Sequence, residues 1–350
     1  MSRLWMLCGF VVVAALGACE EKPKSEPKRA EDAGPEKPAI DPAVAKAMAA
    51  AEKAGQAAGG DGAGPPETGV FGPGLADKEL PRGSAAKVTL GNAGAAPKVR
   101  LVAPAPGTKA TFAFEISRKL RGAAQPPFEL TLSLELPKPK ADAPATPLLA
   151  GVLGIAKAAW PAAGVPKEEA AKVAKLKGSR VAFGLGATGG LGEPRTELSK
   201  EAAPELIEVA AHLGELFGDF LLPFPAEPVG VGGYWMATTR ESVSGVEVLS
   251  FRMIKVRALR EGAAELEVSG KRYAVGPRFD AGDVPKELGE LSLEQLQAQS
   301  QGEVVVSTTT GLPASGTTTQ VFIAVLSASG APGKQLAPIQ LQTTGVLRAP

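Results

Sequence analysis

The chain is poor in the residue types on which most metal sites and many catalytic sites depend. Its 350 residues include two cysteines, Cys8 and Cys19, and a single histidine, His212. Two cysteines can form at most one disulfide, and one histidine is too few for the histidine and cysteine sets that usually hold zinc. We therefore expect no metal site and no cofactor.

An excess of charge of either sign is also absent. The chain carries 38 lysines and arginines against 37 aspartates and glutamates, a net charge of +1. Proteins that bind nucleic acid generally show a basic excess, because they must neutralise phosphates. We expect no nucleic-acid partner.

The N terminus carries an apolar run that is too short to span a membrane. Residues 4–18 follow Arg3 and contain no charged side chain, whereas a spanning helix needs about 20 apolar residues. The run ends in Leu16-Gly17-Ala18-Cys19. This pattern resembles the bacterial lipoprotein signal, which implies cleavage between Ala18 and Cys19 and acylation of Cys19. The alternative is an ordinary secretory signal with a chance cysteine.

The lipoprotein resemblance has consequences for chemistry and location. Cleavage removes Cys8, so acylated Cys19 leaves neither a disulfide nor a free thiol for catalysis. Acyl chains anchor the protein to a membrane. Glu20 stands where an aspartate often signals retention in the inner membrane, so the resemblance implies the outer membrane.

The next segment, 19–86, has the composition of a disordered tether. Alanine, proline, glycine, lysine and glutamate dominate it, and Phe71 is its only aromatic residue. Such a stretch buries too little apolar surface to offset the entropy of ordering.

From about residue 87 the apolar residues alternate with polar ones, which predicts antiparallel strands. In the first part, the pattern favours strands over 112–116 and 128–136, helices over 148–159 and 167–176, and a hairpin from 179–185 and 194–198. In the second part, strand candidates cover 234–241, 246–259, 263–275, 303–310, 317–327 and 339–347, with a short helix over 292–299.

The best helix prediction is 203–220, where apolar residues recur at helical spacing. Pro204 suits its first turn, and Ser199 is a candidate cap. The fold class is therefore α+β and mostly antiparallel β. We expect a first β-rich half over 87–200, a connecting helix and Pro-rich turn over 201–227, and a similar second half over 228–350. These halves could curl into open half-barrels.

Three segments together resemble a group of bacterial lipoproteins of unknown function. They are Leu222 to Pro225, the Val-Gly-x-Gly-x-x-Trp turn from Val229 to Trp235, and the strand and turn from Val304 to Leu312. The spacing from the second glycine to the tryptophan departs slightly from the group's pattern. The resemblance implies a fold and an envelope location, and no particular activity.

Candidate sites are few, and each has a simple structural interpretation. The string from Gly184 to Gly189 fits a dinucleotide fingerprint, but Pro194 follows where a helix should open, so a hairpin turn is favoured. His212 is expected on the solvated face of its helix, with Glu208, Glu215 and Asp219. Trp235, beside Tyr234, either anchors the core or lines a ligand site.

These observations favour a lipid-anchored, non-enzymatic envelope protein that binds an apolar ligand or an envelope protein partner. Two alternatives stay open. One is an envelope hydrolase that uses carboxylates, and the other is a purely structural assembly factor.

Overall fold

The computed structural model describes residues 66–349, apart from 139–147, 162–164, 193, 280–287, 331–335 and 337. Ala18, Cys19 and the tether up to residue 65 lie outside the described residues. Residues Glu67–Pro350 belong to one compact unit. None of the helices in the described part of the chain is long and apolar enough to cross a membrane.

The described elements are short helices between long strands. The helices are α1 (Leu75–Glu79), α2 (Lys167–Ala174) and α3 (Ile207–Gly218), and a 3-10 turn (Pro204–Leu206) leads into α3. The strands are β1 (Lys87–Asn92), β2 (Lys109–Leu120), β3 (Ala123–Glu135), β4 (Leu148–Ala159), β5 (Arg180–Gly186), β6 (Arg195–Glu197), β7 (Tyr234–Val243), β8 (Val246–Arg260), β9 (Ala263–Ala274), β10 (Leu291–Ser307), β11 (Pro313–Ala328) and β12 (Ile339–Arg348).

The twelve strands form one open antiparallel sheet, which confirms the mostly antiparallel β prediction. Their order is β1-β7-β8-β9-β10-β11-β12-β2-β3-β4-β5-β6. Strands β7–β12 are contiguous, as are β2–β6. The two groups join where β12 pairs with β2, and β1 lies beside β7 at one edge. The long-range pairings thus place both predicted halves in a single sheet.

Two helix predictions are wrong, because strand pairing overrides local preference. Residues 148–159 form β4, which is paired on both sides by β3 and β5. Residues 292–299 lie inside β10. There Leu293 and Leu296 show helical spacing because a bulge between Leu293 and Gln295 shifts the strand by one residue. Both leucines are therefore buried on the same side of the sheet.

The other helix predictions and the hairpins are confirmed. α2 lies within 167–176, and β5 pairs with β6. Pro204 occupies the first turn before α3, as expected. Ser199 does not cap it, since its hydroxyl donates to the carbonyl oxygen of Lys175 at 2.8 Å. The extended residue that precedes the 3-10 turn is Ala203.

Helix α3 packs against one face of the curved sheet, which we call the inner face. Phe217 meets Phe112 and Phe114 of β2 at ring-centroid distances of 5.5 and 6.4 Å. On another side of the helix, Gly214 lies against Val181 of β5. One short helix thus contacts strands far apart in the sheet order, so the sheet must curve around it.

Glycines in the strands make room for the end of this helix. The ring of Phe220 follows α3 and meets Phe114 edge-on at 5.6 Å. A Cβ atom on Gly316 would lie 3.1 Å from the Phe220 ring, and one on Gly345 would lie 3.0 Å from the Phe114 ring. These strand glycines let the two rings approach the backbone closely.

The segment before β1 runs past the end of β9 and past Leu296 within β10, and then over the outer face. The carbonyl oxygens of Thr68 and Gly69 accept hydrogen bonds from the backbone of Leu296 and Ala274, both at 2.9 Å. Helix α1 then packs its apolar side near Leu249 of β8. Arg240 fixes it by donating to Asp77 at 2.5 Å and to Glu247 at 2.6 Å.

Candidate functional site

A row of polar residues crosses the inner face, and we call it the polar belt. Strand register places its members side by side on β8, β10, β11, β12 and β2, in the order Arg252, Ser300, Gln320, Thr343 and Arg118, with Gly270 of β9 between the first two. Arg272, Glu241 and Thr239 lie beside this row on β9 and β7. Inner positions of a sheet are normally apolar, so this run requires partners.

Asp219, just after α3, supplies the central partner of the belt. One of its oxygens accepts from Arg272 Nη2 at 2.6 Å, and the other accepts from Gln320 Nε2 at 2.7 Å. Arg272 also donates through Nε to Glu241 at 2.9 Å. Arg252 lies 3.6 Å from Asp219 and 3.8 Å from Glu241. The end of the helix is thereby tied directly to β8, β9 and β11, and through Arg272 to Glu241 of β7.

The polar edge of α3 extends the belt toward β12, which corrects the sequence-based expectation. Glu215, His212 and Asp219 are not solvated, since the side chains of the first two are 8% exposed and Asp219 is 2% exposed. His212 Nδ1 donates to Glu215 at 3.0 Å, and Thr343 lies 3.2 Å from Nε2. Glu215 also accepts from the backbone amide of Ser244 at 3.1 Å. The side chain of Glu208 lies outside the described part.

Burial and neighbouring charges shift the pKa values of three belt groups, His212, Glu241 and Arg272. Burial lowers the pKa of His212, and the charge of Arg118 lowers it further. Glu215 raises this pKa, but by less than burial and Arg118 lower it. Burial alone would raise the pKa of Glu241, but Arg272 and Arg252 hold it below its ordinary value. Burial opposes the charge of Arg272, yet Asp219 and Glu241 raise its pKa.

The belt divides the apolar side chains of the inner face into two separate clusters. The larger one is the main core, which includes the apolar side of α3 together with Trp235 and the leucines of β3. The second cluster lies beyond the belt, toward the start of β10 and the end of β11, and we call it the distal strip. Its members are Val243, Val246, Val248, Ala274, Phe279, Leu288, Leu291, Leu293, Leu296, Ala298, Phe322, Ala324, Leu326, Ala328, Ile339 and Leu341.

Helix α3 covers the main core and turns its polar edge to the belt. The distal strip therefore has a different cover. Among the described residues, Phe279 and Leu288 belong to the segment before β10, and Val70 and Leu336 also pack against the strip. In the part of the chain that the structure describes, no helix contributes a residue to this cluster. An apolar cluster of that kind is one that an apolar chain could share.

The belt itself is poorly suited to acid-base or metal chemistry. A general acid near neutral pH needs a raised carboxyl pKa, whereas the pKa of Glu241 is lowered. Asp219 is already bonded to Arg272 and Gln320. No group of three or more histidine, cysteine, aspartate or glutamate side chains that could hold a metal occurs in the part of the chain that the structure describes.

The structure separates the two candidate aromatic residues. Trp235 is fully buried on the inner face, where its Nε1 donates to the carbonyl oxygen of Pro223 at 2.8 Å and its ring meets Phe224 edge-on. Tyr234 points to the opposite face, half-buried, with its ring over Gly91. Trp235 therefore belongs to the main core and not to the distal strip.

The glycine string forms a hairpin turn, as expected. Gly189 donates to the carbonyl oxygen of Gly186 at 2.9 Å, and Leu185 bridges back to Leu191. The backbone amide of Phe224 donates to the carbonyl oxygen of Thr188 at 2.7 Å. The turn thus packs on the segment after α3, and β6 follows it where a nucleotide fold would have a helix.

The sequence-based prediction missed the belt residues, although their positions in the alternation of the strands indicate that they face inward. Arg252 stands between Ser250 and Ile254 at an inner position, and Glu241 shares the face of Trp235. A charged residue in phase with a buried tryptophan or isoleucine indicates a paired charge inside the sheet. The alternation alone does not reveal the partner, since Asp219 comes from another element.

No family model matches the chain, and no characterised protein matches it in sequence.

Proposed function

We propose that this protein is a lipid-anchored, non-enzymatic binding module of the bacterial cell envelope, held at the outer membrane by acylated Cys19. The observation that supports the binding role is the distal strip, a second buried apolar cluster on the inner face to which α3 contributes no side chain. The lipoprotein signal carries the location. The occupant of the strip is an apolar ligand or the apolar segment of an envelope partner.

The electrostatics of the interior support an uncharged occupant. Arg118, Arg252 and Arg272 are matched near the belt by Asp219, Glu215 and Glu241. With His212 neutral, these charges balance, so the belt requires no charged ligand to neutralise it.

We also propose that the sheet consists of two similar β-rich halves, 87–200 and 228–350, which curl as open half-barrels around the connecting segment 201–227. The contiguity of β7–β12 and of β2–β6 supports this arrangement. Strand β1 departs from it, since it pairs with β7 of the other half.

The location is tested with Cys19→Ala expressed in the native host. The unmodified chain should fractionate with the outer membrane and begin at an acylated Cys19. The variant should remain uncleaved or become soluble. If Cys19→Ala partitions with membranes as the unmodified chain does, the anchor proposal is wrong.

The binding role is tested on the mature chain with Cys19→Ser, secreted without acylation. A fluorescent apolar dye should bind saturably to the folded protein, and unfolding in urea should release it. A native mass spectrum of acylated protein from its own membrane should show a retained apolar molecule or partner. If the folded chain gives no saturable dye signal, the binding proposal fails.

A further inference from the structure

A row of uncharged residues crosses the outer face of the sheet, opposite the face that packs on α3. The strand register aligns one residue from each of five neighbouring strands, and none of them is fully buried. From β9 to β2 these residues are Ser269, Gln301, Thr319, Thr344 and Ser117. The hydroxyl oxygens of Thr319 and Thr344 lie 3.0 Å apart. We call this line the neutral row.

The rows on either side of the neutral row carry opposite charges. Two residues away in one direction, the register aligns the basic row, which is Lys271, Gln299, Val321, Gln342 and Lys119. Two residues away in the other direction, it aligns the acidic row, which is Glu267, Glu303, Thr317, Val346 and Glu115. Each charged row lies about 7 Å from the neutral row, since a strand advances by about 3.4 Å per residue. Cations and carboxylates are thus segregated along the same strands.

This charge pattern is complementary to itself. A two-fold axis along the neutral row places the basic row of one copy over the acidic row of another. Lys271 then faces Glu267 of the second copy, and Lys119 faces Glu115 of the second copy. An axis along β11 would instead place Lys271 over Lys119 of the second copy, and like charges at an interface oppose association. The charges therefore select one arrangement.

Two carboxylates of the acidic row have partners in their own chain, and these pairs are weak. Glu267 lies 2.8 Å from Arg257, and Glu115 lies 3.6 Å from Arg348. The side chains of the two arginines are 47% and 63% exposed. Exposed pairs contribute little to stability, so a lysine that approaches from a second copy can replace the arginine at small cost.

The size of the surface suits a reversible dimer. Five strands about 4.8 Å apart span about 24 Å, and the eight steps from Ser315 to Ile323 along β11 span about 27 Å. The pair of copies would bury about 1,300 Å² in total, which is near the lower limit for specific interfaces. Val321 and Ile323 are half-buried and provide apolar area on the middle strand. Because the sheet curves around α3, the outer face is convex, and long lysine side chains at the rim can reach across the wider gap.

We infer that the outer face associates with a second copy of this chain, about a two-fold axis along the neutral row. Strands β9 to β12 and β2 of the two copies then lie face to face, and each strand is antiparallel to its counterpart. The surface is on the opposite face from the distal strip, so this inference does not depend on the proposed binding role.

Sedimentation velocity tests the association of the mature chain with Cys19→Ser. The protein should show a reversible equilibrium between monomer and dimer. High salt should shift it toward the monomer, because ions screen exposed charges. A chain that sediments as a monomer up to about 1 mM would overturn the inference, and the outer face would then belong to the tether or to a different protein.

Charge reversals test the pairing of the rows. Glu115→Lys and Lys119→Glu should each weaken association about tenfold, because the two-fold axis makes each change act twice. The double variant should associate like the parent chain, since its exchanged charges again face each other. The matched control is Lys177→Glu in the exposed turn after α2, which should leave association unchanged. A dimer that the single reversals do not weaken, or that the double variant does not restore, would overturn the inference.

Cross-linking locates the axis. The mature chain with Cys19→Ser contains no cysteine, so one added cysteine reports the distance to its own copy. In Thr319→Cys the two thiols lie on the axis and should be joined by a short bismaleimide. In Gln297→Cys they should be about 27 Å apart and remain unlinked, because the position is four residues from the neutral row. Equal cross-linking of both variants would contradict the assigned axis. Should a charge variant not fold by circular dichroism, the two cysteine variants decide.

Discussion

Arg272 is a buried cation that pairs with two carboxylates of the belt. It is 3% exposed and bonds both Asp219 and Glu241. Removal of one partner from a buried ion pair typically costs about 3–5 kcal/mol, because the remaining charges are left buried without compensation. We expect Arg272→Ala to lower the free energy of unfolding by that amount, measured by urea denaturation.

The matched control is Arg260→Ala. Arg260 pairs with Glu265 at 2.6 Å, but its side chain is 71% exposed. Exposed pairs contribute about 0–1 kcal/mol, so this variant should unfold almost like the parent chain. Equal losses for the two variants would show that the belt pairing contributes no more than a surface contact.

His212 gives the molecule a defined response to acid. Its ordinary pKa of 6.5 is lowered by burial and by Arg118. The unfolded chain therefore binds more protons than the folded chain once the pH falls below about 6.5. The stability that depends on neutral His212 is fully present above that pH and is lost as the pH falls toward the lower folded pKa.

His212→Gln tests this response by urea denaturation across pH. The variant should lack the part of the stability loss that begins near pH 6.5. A separate loss at lower pH should persist, because Arg82 and Arg240 outweigh burial and lower the pKa of Glu247 from 4.5, and its stabilising charge disappears only as the pH falls below that value. Parallel pH profiles for parent and variant would contradict the role of His212.

At the scale of the element, glycines decide how closely the strands can approach one another. Gly302 in β10 lies opposite Thr318 and Val268. A Cβ atom there would lie 2.3 Å from the carbonyl oxygen of Thr317, which is part of the backbone and must shift. We expect Gly302→Ala to lower the midpoint of urea denaturation by the equivalent of about 1–3 kcal/mol.

Gly276→Ala is the matched control for this prediction. Nothing lies within 4 Å of a Cβ atom at Gly276, and its φ is not positive. The variant should unfold at the midpoint of the parent chain or slightly above it, because alanine restricts the unfolded chain. A tolerated Gly302→Ala would show that β10 and β11 can move apart without cost.

At the scale of the whole molecule, the single sheet predicts cooperative unfolding. The main core includes Trp160 beside Phe128 from the first predicted half, and Trp235 from the second. Trp5 is the only other tryptophan, and it lies in the predicted signal. In the mature chain, Trp160→Phe leaves Trp235 to report on unfolding, and Trp235→Phe leaves Trp160.

The two reporters should give coincident urea transitions once each midpoint is corrected for the stability that its substitution removes. Circular dichroism of the same samples provides that correction, because it reports the whole sheet. A probe-independent transition is the mark of two-state unfolding. A fluorescence transition that separates from the dichroism transition in either variant would show that the two halves fold as independent units.

The sequence by itself determined the class of the fold, most of the strand positions, the position of α3 and the low net charge. Alternation and helical spacing are local patterns, and each reports which side of an element is buried. The N-terminal signal is equally local, and it predicts a lipid anchor without reference to the fold.

Only the tertiary structure decided which strands are neighbours, and with them the belt and the distal strip. The pairing of β12 with β2 joins residues more than two hundred positions apart, and a period of two carries no information about a partner. Pairing with β3 and β5 made a strand of 148–159, and pairing with β9 and β11 made 292–299 part of β10. Asp219 looks like the surface of a helix until Arg272 and Gln320 are placed beside it, because a buried charge is recognisable only with its counterion.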